Sequence, residues 1–282
     1  MTTLSASLAL AFLTLALAAP RVHGGEPPAP RSGYAAVDGL SLYYEIHGEG
    51  GVPLVLLHGG GSTIDSSFGK VIEGYARTRK VVAFDQQGHG RTADVDRPFR
   101  FEQSADDAAA LLRHLGIEKA DFLGYSNGGH IAIEVALRHP EMVRKLVLES
   151  ANFNRDGCDP GFWESFKDAK IDAMPAELKE AYTRVAPRPG DLPVFFRKSV
   201  DRMLHFQGWT DEQMRSIQVP TLVLAGDRDI LSPEHAVRAY RLLPHGQLAI
   251  LPGVDHMTIV GRADLLTPIV LSFLDAPMPD GR

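Results

Sequence analysis

Three short runs, Pro53-Leu-Val-Leu-Leu57, Lys145-Leu-Val-Leu-Glu149 and Thr221-Leu-Val-Leu-Ala225, are apolar at nearly every position rather than at every second one. Successive side chains of a strand point to opposite faces, so such runs imply strands covered on both sides, as in a parallel sheet packed between helices. Apolar segments near 34–37, 40–47, 80–84, 120–124 and 246–251 bring the expected strands to eight. Glu102 to Leu115 and Pro233 to Leu243 carry apolar residues at helical spacing, with Ser104 and Ser232 as candidate N-caps, and His130 to His139 is also helix-like. Strands alternating with helices in this way imply an α/β fold with right-handed crossovers between parallel strands.

At 282 residues the chain accommodates one large domain with an insertion. The alternation holds over residues 34–151 and 219–275 and fails between them. Residues 152–218 are expected to form a helical cap, with helices over 161–169, 175–185, 193–207 and 210–216. Phe153, Phe162, Trp163, Phe166, Phe195, Phe196, Phe206 and Trp209 crowd into this stretch. Exposed loops rarely carry so many rings, so they have something apolar to cover, either the core of the cap or a substrate pocket.

A net charge of −6, without a cluster of basic residues, argues against a nucleic-acid or anionic-membrane surface and leaves a small molecule as the expected partner. The single Cys158 permits no intramolecular disulfide. Residues 4–18 are apolar and end in Ala16-Leu17-Ala18, and a Pro/Gly-rich segment follows. These features predict a signal peptide over 1–18 and a linker over 19–33, hence a secreted or periplasmic protein, although residues 1–18 lack the usual Lys or Arg. The apolar run is shorter than the roughly 20 residues that span a bilayer, so no stable membrane span is expected. Oligomeric state is not legible.

Gly124-Tyr-Ser-Asn-Gly128 stands between the apolar run 120–123 and the helix-like run after it. In a G-x-S-x-G elbow the small residues flanking the serine let strand and helix approach, and the turn holds the hydroxyl out above the sheet. Ser126 is therefore a candidate nucleophile. A serine hydroxyl needs a base within hydrogen-bond reach, itself oriented by a carboxylate. His256, in Leu251-Pro-Gly-Val-Asp-His256, is expected at the same carboxyl edge of the sheet and at the opening of the final helix. The acid should follow another strand end, as Ala225-Gly-Asp-Arg-Asp229 does. The order Ser126, Asp229, His256 is that of a strand-loop triad on an α/β sheet. The backbone N–H of Asn127, next after the serine, is placed to stabilise a developing oxyanion. No metal-ligand spacing and no G-x-G-x-x-G occurs, so neither a metal nor a cofactor is implied.

With His58-Gly-Gly-Gly61, Asp85-Gln-Gln-Gly-His-Gly90, Gly226-Asp-Arg-Asp229 and Gly253-Val-Asp-His256 in order around the elbow, the chain from about Tyr34 to Asp275 resembles the α/β-hydrolase fold superfamily. The resemblance is to its esterases, carbon–carbon bond hydrolases and haloperoxidase-like enzymes. It implies a mostly parallel eight-stranded sheet flanked by helices, with an inserted helical cap. It also implies Asp229 as the acid, with Asp227 supporting the turn and Glu149 as a third carboxylate in contention. Gly60 would supply the second oxyanion N–H, and His58 would brace its turn. Asp85 to Arg91 would shape a loop. Serine rather than aspartate at position 126 disfavours attack on alkyl carbon. The expected activity is a serine hydrolase cleaving a carboxylic ester through an acyl-enzyme. Carbon–carbon bond or lactone hydrolysis by the same residues is the alternative, and a ligand-sensing receptor with little turnover is a second.

Overall fold

The computed structural model describes residues 29–279; the expected signal peptide and most of the linker, residues 1–28, lie outside the described residues. The elements in order are β1 (Arg31–Val37), β2 (Leu40–His47), β3 (Leu54–Leu57), α1 (Ile64–Phe68), α2 (Ile72–Ala76), β4 (Val81–Phe84), α3 (Phe101–His114), β5 (Ala120–Tyr125), α4 (Asn127–Arg138) and β6 (Val143–Glu149). There follow α5 (Pro160–Glu164), α6 (Ala176–Val185), α7 (Leu192–His205), α8 (Asp211–Ser216), β7 (Thr221–Arg228), α9 (Pro233–Leu242), β8 (Gly246–Asp255) and α10 (Ala263–Asp275). The strands form one eight-stranded sheet in the order β1-β2-β4-β3-β5-β6-β7-β8. Strand β2 runs antiparallel to both its neighbours, and the pairings from β4 to β8 are parallel.

The apolar runs are explained by the two faces of this sheet. Along β3, Val55 and Leu57 enter one buried cluster with helices α3 and α4, whereas Leu54 and Leu56 enter the other, with α1, α2 and α10. All four are fully buried. Each such side chain contributes about 1.5–3 kcal/mol on removal from water, so a polar residue at any of the four positions would lose that burial and strand an unpaired group. Strand β4 divides in the same way, Val82 and Phe84 to one face and Val81 and Ala83 to the other.

Several boundaries differ from the sequence reading. Strand β1 starts at Arg31, inside the expected linker, because Arg31 to Gly33 continue the antiparallel register with Tyr44 to Ile46. Helix α3 starts at Phe101 with Arg100 at its N-cap position, and Ser104 sits inside the helix, its hydroxyl donating to the Arg100 carbonyl. Ser232 does cap α9, accepting from the His235 N–H. Strand β8 runs to Asp255, so His256 leaves the sheet directly and α10 begins later than expected.

Residues between β6 and β7 cross the carboxyl edge of the parallel strands as helices α5 to α8. Helix α5 is shorter than expected, ending at Glu164, and the aromatic residues of this region mostly face inward. Phe153, Trp163, Phe206 and Trp209 join the larger sheet-face cluster, while Phe195 packs with Phe99, Met174 and Tyr182 in a satellite cluster. The excursion is tied down by Lys198, whose ammonium donates to Asp94 at 2.7 Å and to the carbonyls of Val95 and Arg97 at 2.8 Å. Among the described residues no helix is long and apolar enough to cross a membrane.

Candidate active site

Ser126 occupies the corner between β5 and α4 with φ 53° and ψ −120°, a left-handed conformation that L-residues with a side chain rarely adopt. The flanking glycines make the corner possible: a Cβ on Gly124 would run into the Gly128 carbonyl, and one on Gly128 into the Leu57 carbonyl of β3. The Ser126 N–H donates to the Glu149 carbonyl at 2.8 Å, anchoring the corner to β6.

His256, released from β8, lies 3.0 Å from the Ser126 hydroxyl through Nε2 and 2.7 Å from Asp229 Oδ1 through Nδ1. With the carboxylate accepting from Nδ1–H, Nε2 is left as the acceptor facing the hydroxyl, the tautomer a general base requires. Asp229 has a buried side chain. It also accepts from the Ser150 hydroxyl at 2.5 Å and from the Leu231 N–H at 3.3 Å. Burial by itself would raise this carboxyl, but the His256 and Ser150 bonds and the histidine's charge outweigh it and hold Asp229 below the ordinary carboxylate range. It is therefore ionised at neutral pH.

The competing carboxylates are elsewhere. Asp227 accepts from the N–H groups of Gly253 at 2.7 Å and Val254 at 3.3 Å, fastening the end of β7 to β8. The Nδ1 of His256 turns to Asp229 rather than Glu149. Glu149 is enclosed at the end of β6 with Oε1 unpartnered, and burial, then the Asp229 charge, pushes it up to about 8. It is a neutral acid at pH 7.

The N–H of Asn127 is the first of helix α4 and has no preceding helical turn to bond. Gly60 faces it across the cleft, so close that a Cβ on Gly60 would overlap the Asn127 carboxamide. The buried Asn127 side chain therefore lies along the glycine turn. His58 carries that turn: its Nε2 accepts from the Gln86 N–H at 3.0 Å, and Nδ1–H donates to the Gly59 carbonyl at 2.8 Å. Full burial lowers His58 to about 4, so it stays neutral. Asp85 accepts from the N–H groups of Ile64 at 3.0 Å and Arg91 at 2.8 Å and organises the adjacent loop. Side chains from the segment between β6 and β7 reach the same turn, with Leu178 and Met174 against Gly61. His130, one turn beyond Ser126, is buried, with its Nε2 3.2 Å from Asn152 Oδ1. No group of three or more His, Cys, Asp or Glu with metal-binding geometry occurs among the described residues.

Three side chains near this cluster escaped the sequence reading. Tyr125 donates its phenolic hydrogen to the His256 carbonyl at 2.7 Å, Ser150 bonds Asp229, and Arg202 of α7 is buried. Only Arg202 had a sequence signal: it stands seven residues after Phe195 and four before Phe206, on the apolar face of its helix. A hydroxyl that can lose its proton to a neutral imidazole, beside two facing backbone positions, is an arrangement suited to nucleophilic attack on a carbonyl carbon.

A family model described as alpha/beta hydrolase fold matches residues 52–175. A non-heme haloperoxidase of Rhodococcus erythropolis is 27% identical over 275 residues, covering 86% of this chain and 98% of its own. The serine hydrolase BPHL of Homo sapiens is 28% identical over 257 residues, 86% of either chain. Among solved structures, the enol-lactonase of Burkholderia xenovorans LB400 superposes with a TM-score of 0.70 at 23% identity, covering 86% of this chain and all of that one, a likeness of fold.

Proposed function

We propose that the chain, matched by the alpha/beta hydrolase fold family model over residues 52–175 and similar to the serine hydrolase BPHL, is a serine hydrolase that cleaves a carboxylic ester of a small molecule. The observation that carries the reading is the unbroken line from Ser126 through His256 to Asp229, at 3.0 and 2.7 Å. In the first half-reaction the Ser126 oxygen attacks the ester carbonyl carbon and its proton passes to His256 Nε2. The resulting imidazolium is stabilised by the Asp229 carboxylate. The carbonyl oxygen gains negative charge against the N–H groups of Gly60 and Asn127, and each such donor typically accounts for about 3–4 kcal/mol of transition-state stabilisation. Collapse expels the alcohol, which takes the proton from His256, and leaves an acyl-serine. Water, deprotonated by His256, then adds to the acyl carbon and releases the acid and Ser126.

The same residues would open a lactone, the bond that the enol-lactonase of similar fold is named for. Hydrolysis of a carbon–carbon bond beside a carbonyl would also need no further side chain. Fluorophosphonate labelling with mass spectrometry tests what these readings share: modification at Ser126 in the wild type and none in Ser126→Ala or His256→Ala. Equal labelling of Ser126→Ala would remove the nucleophile. Turnover of short-chain aryl esters then separates ester cleavage from the alternatives, and single stoichiometric acylation without further product would point to a ligand sensor.

A further inference from the structure

Among the described residues, three other than glycine hold their backbone in the left-handed region: Asp38, Ser126 and Ser150, at φ 47°, 53° and 52°. Two of them have an evident reason. Asp38 stands with Gly39 in the two-residue turn between β1 and β2, where a tight hairpin requires positive φ. Ser126 stands at the elbow. Ser150, the first residue past β6, belongs to neither feature and is only 3% exposed. A residue with a side chain is destabilised in this conformation and glycine is not, so a serine that persists there points to a task for its hydroxyl.

That hydroxyl donates to Asp229 Oδ2 at 2.5 Å, while Oδ1 accepts from His256 Nδ1–H at 2.7 Å and from the Leu231 N–H at 3.3 Å. The two carboxylate oxygens thus have separate partners. Ser150 is the one hydrogen-bond partner of Oδ2 among the described residues, and the Asp229 side chain is wholly buried, so solvent offers no substitute. Without this bond the carboxylate is free to turn about its Cβ–Cγ axis, and Oδ2 is left desolvated and unpaired. The backbone on either side is pinned as well. The Ser150 N–H donates to the Leu224 carbonyl of β7 at 2.7 Å, and the carbonyl of Glu149 accepts from the Ser126 N–H at 2.8 Å. One short segment therefore holds the candidate nucleophile through its backbone and the candidate acid through a side chain.

We propose that Ser150 is a positioning residue of the triad, that its hydroxyl sets the plane of the Asp229 carboxylate so that Oδ1 stays on His256, and that this contact is why a serine occupies a left-handed position. The inference rests on the serine-hydrolase reading. Ser150 acts through Asp229 and takes no proton itself. When His256 accepts the Ser126 proton, the new imidazolium faces a carboxylate already held in line, and misalignment weakens that pairing as the charge develops. Its loss should therefore appear in the maximal rate rather than in binding.

The test is the kinetics of fluorophosphonate labelling at Ser126, which requires no particular substrate. In Ser150→Ala and Ser150→Gly alike the maximal labelling rate should fall about tenfold, the scale of one hydrogen bond to a charged group, with the half-saturating probe concentration within about twofold of wild type. Melting temperature should part the two variants, with Ser150→Gly about 2–4 °C above Ser150→Ala because glycine relieves the backbone. In an Asp229→Ala background, Ser150→Ala should slow labelling no further. A serine that only ties two loops together gives another pattern. Ser150→Gly then labels at the wild-type rate, or the losses at 150 and 229 multiply, and either result overturns the proposal. A Tm for Ser150→Gly at or below that of Ser150→Ala overturns it too, since no strain was relieved. An unlabelled wild type fails the serine-hydrolase reading and this proposal with it, whereas a labelled wild type matched within about twofold by Ser150→Ala overturns this proposal alone.

Discussion

Tyr125 reaches across from the residue before the candidate nucleophile to the candidate base, its hydroxyl donating to the His256 carbonyl at 2.7 Å while the two rings lie 5.3 Å apart. The elbow thus sets the serine and also steadies the loop that brings the imidazole to it. Under the proposed mechanism Tyr125 is a positioning residue, since it touches neither substrate nor reacting atoms.

Tyr125→Phe keeps the ring and deletes one hydrogen bond, a change of about 1 kcal/mol. The expected outcome is a drop in kcat of about fivefold with KM nearly constant, because a misplaced imidazole slows proton transfer without altering substrate contacts. Steady-state kinetics on a short-chain ester measures it. A rise in KM with kcat intact would mean that Tyr125 shapes the pocket instead.

The parts of the molecule legible in the sequence were those governed by local periodicity. Leu54 to Leu57 announced a two-faced strand because both faces demand apolar residues, and Gly124 to Gly128 announced the elbow because only small residues allow β5 and α4 to meet. Ser126, Asp229 and His256 were legible because each follows a strand end. What stayed hidden depends on partners distant in sequence. Arg31 to Gly33 look like linker by composition, and only the register with Tyr44 to Ile46 makes them a strand. Helices α1 and α2 span five residues each, too short to show a period. Ser104 resembled a cap in sequence, yet the helix had already begun at Phe101. Ser150 reaches Asp229 across 79 positions, a contact that no spacing rule reveals. The aromatic residues between β6 and β7 are ambiguous in sequence between core and pocket, and burial assigns most of them to packing.

Gly60 and Asn127 give a test of the proposed oxyanion site that reports on geometry rather than on side-chain chemistry. A methyl group at position 60 would overlap the Asn127 carboxamide and push the glycine turn away from α4. Gly60→Ala should lower kcat by about 100-fold, the scale of losing one oxyanion donor. Because the collision is with a side chain, Gly60→Ala combined with Asn127→Gly should recover part of that loss while keeping the backbone N–H at 127. The double variant being slower than the sum of the single effects would show that the carboxamide, and not its collision with the new methyl, matters.

Glu149 supplies a pH dependence whose sign is fixed by its environment. Its carboxyl is raised to about 8 by burial and then by Asp229, so the folded protein holds this proton where the unfolded chain, near 4.5, releases it. The folded state therefore binds more protons between these two values, and the associated stability is complete below about 4.5 and disappears as pH rises to about 8, at about 1.4 kcal/mol per pH unit. Asp85, raised to about 6 by burial, adds a fall that ends near that pH. The buried His58 and His235, lowered to about 4, act in the opposite sense, stabilising as pH rises to the ordinary histidine range of about 6.5. Between about 6.5 and 8 the Glu149 contribution is thus left to stand out. Urea unfolding across that interval should show wild-type stability declining, whereas Glu149→Gln, which keeps the shape and cannot ionise, should decline less steeply and overtake the wild type at the alkaline end. Parallel slopes for the two proteins would mean that Glu149 is already ionised in the folded state at pH 6.5.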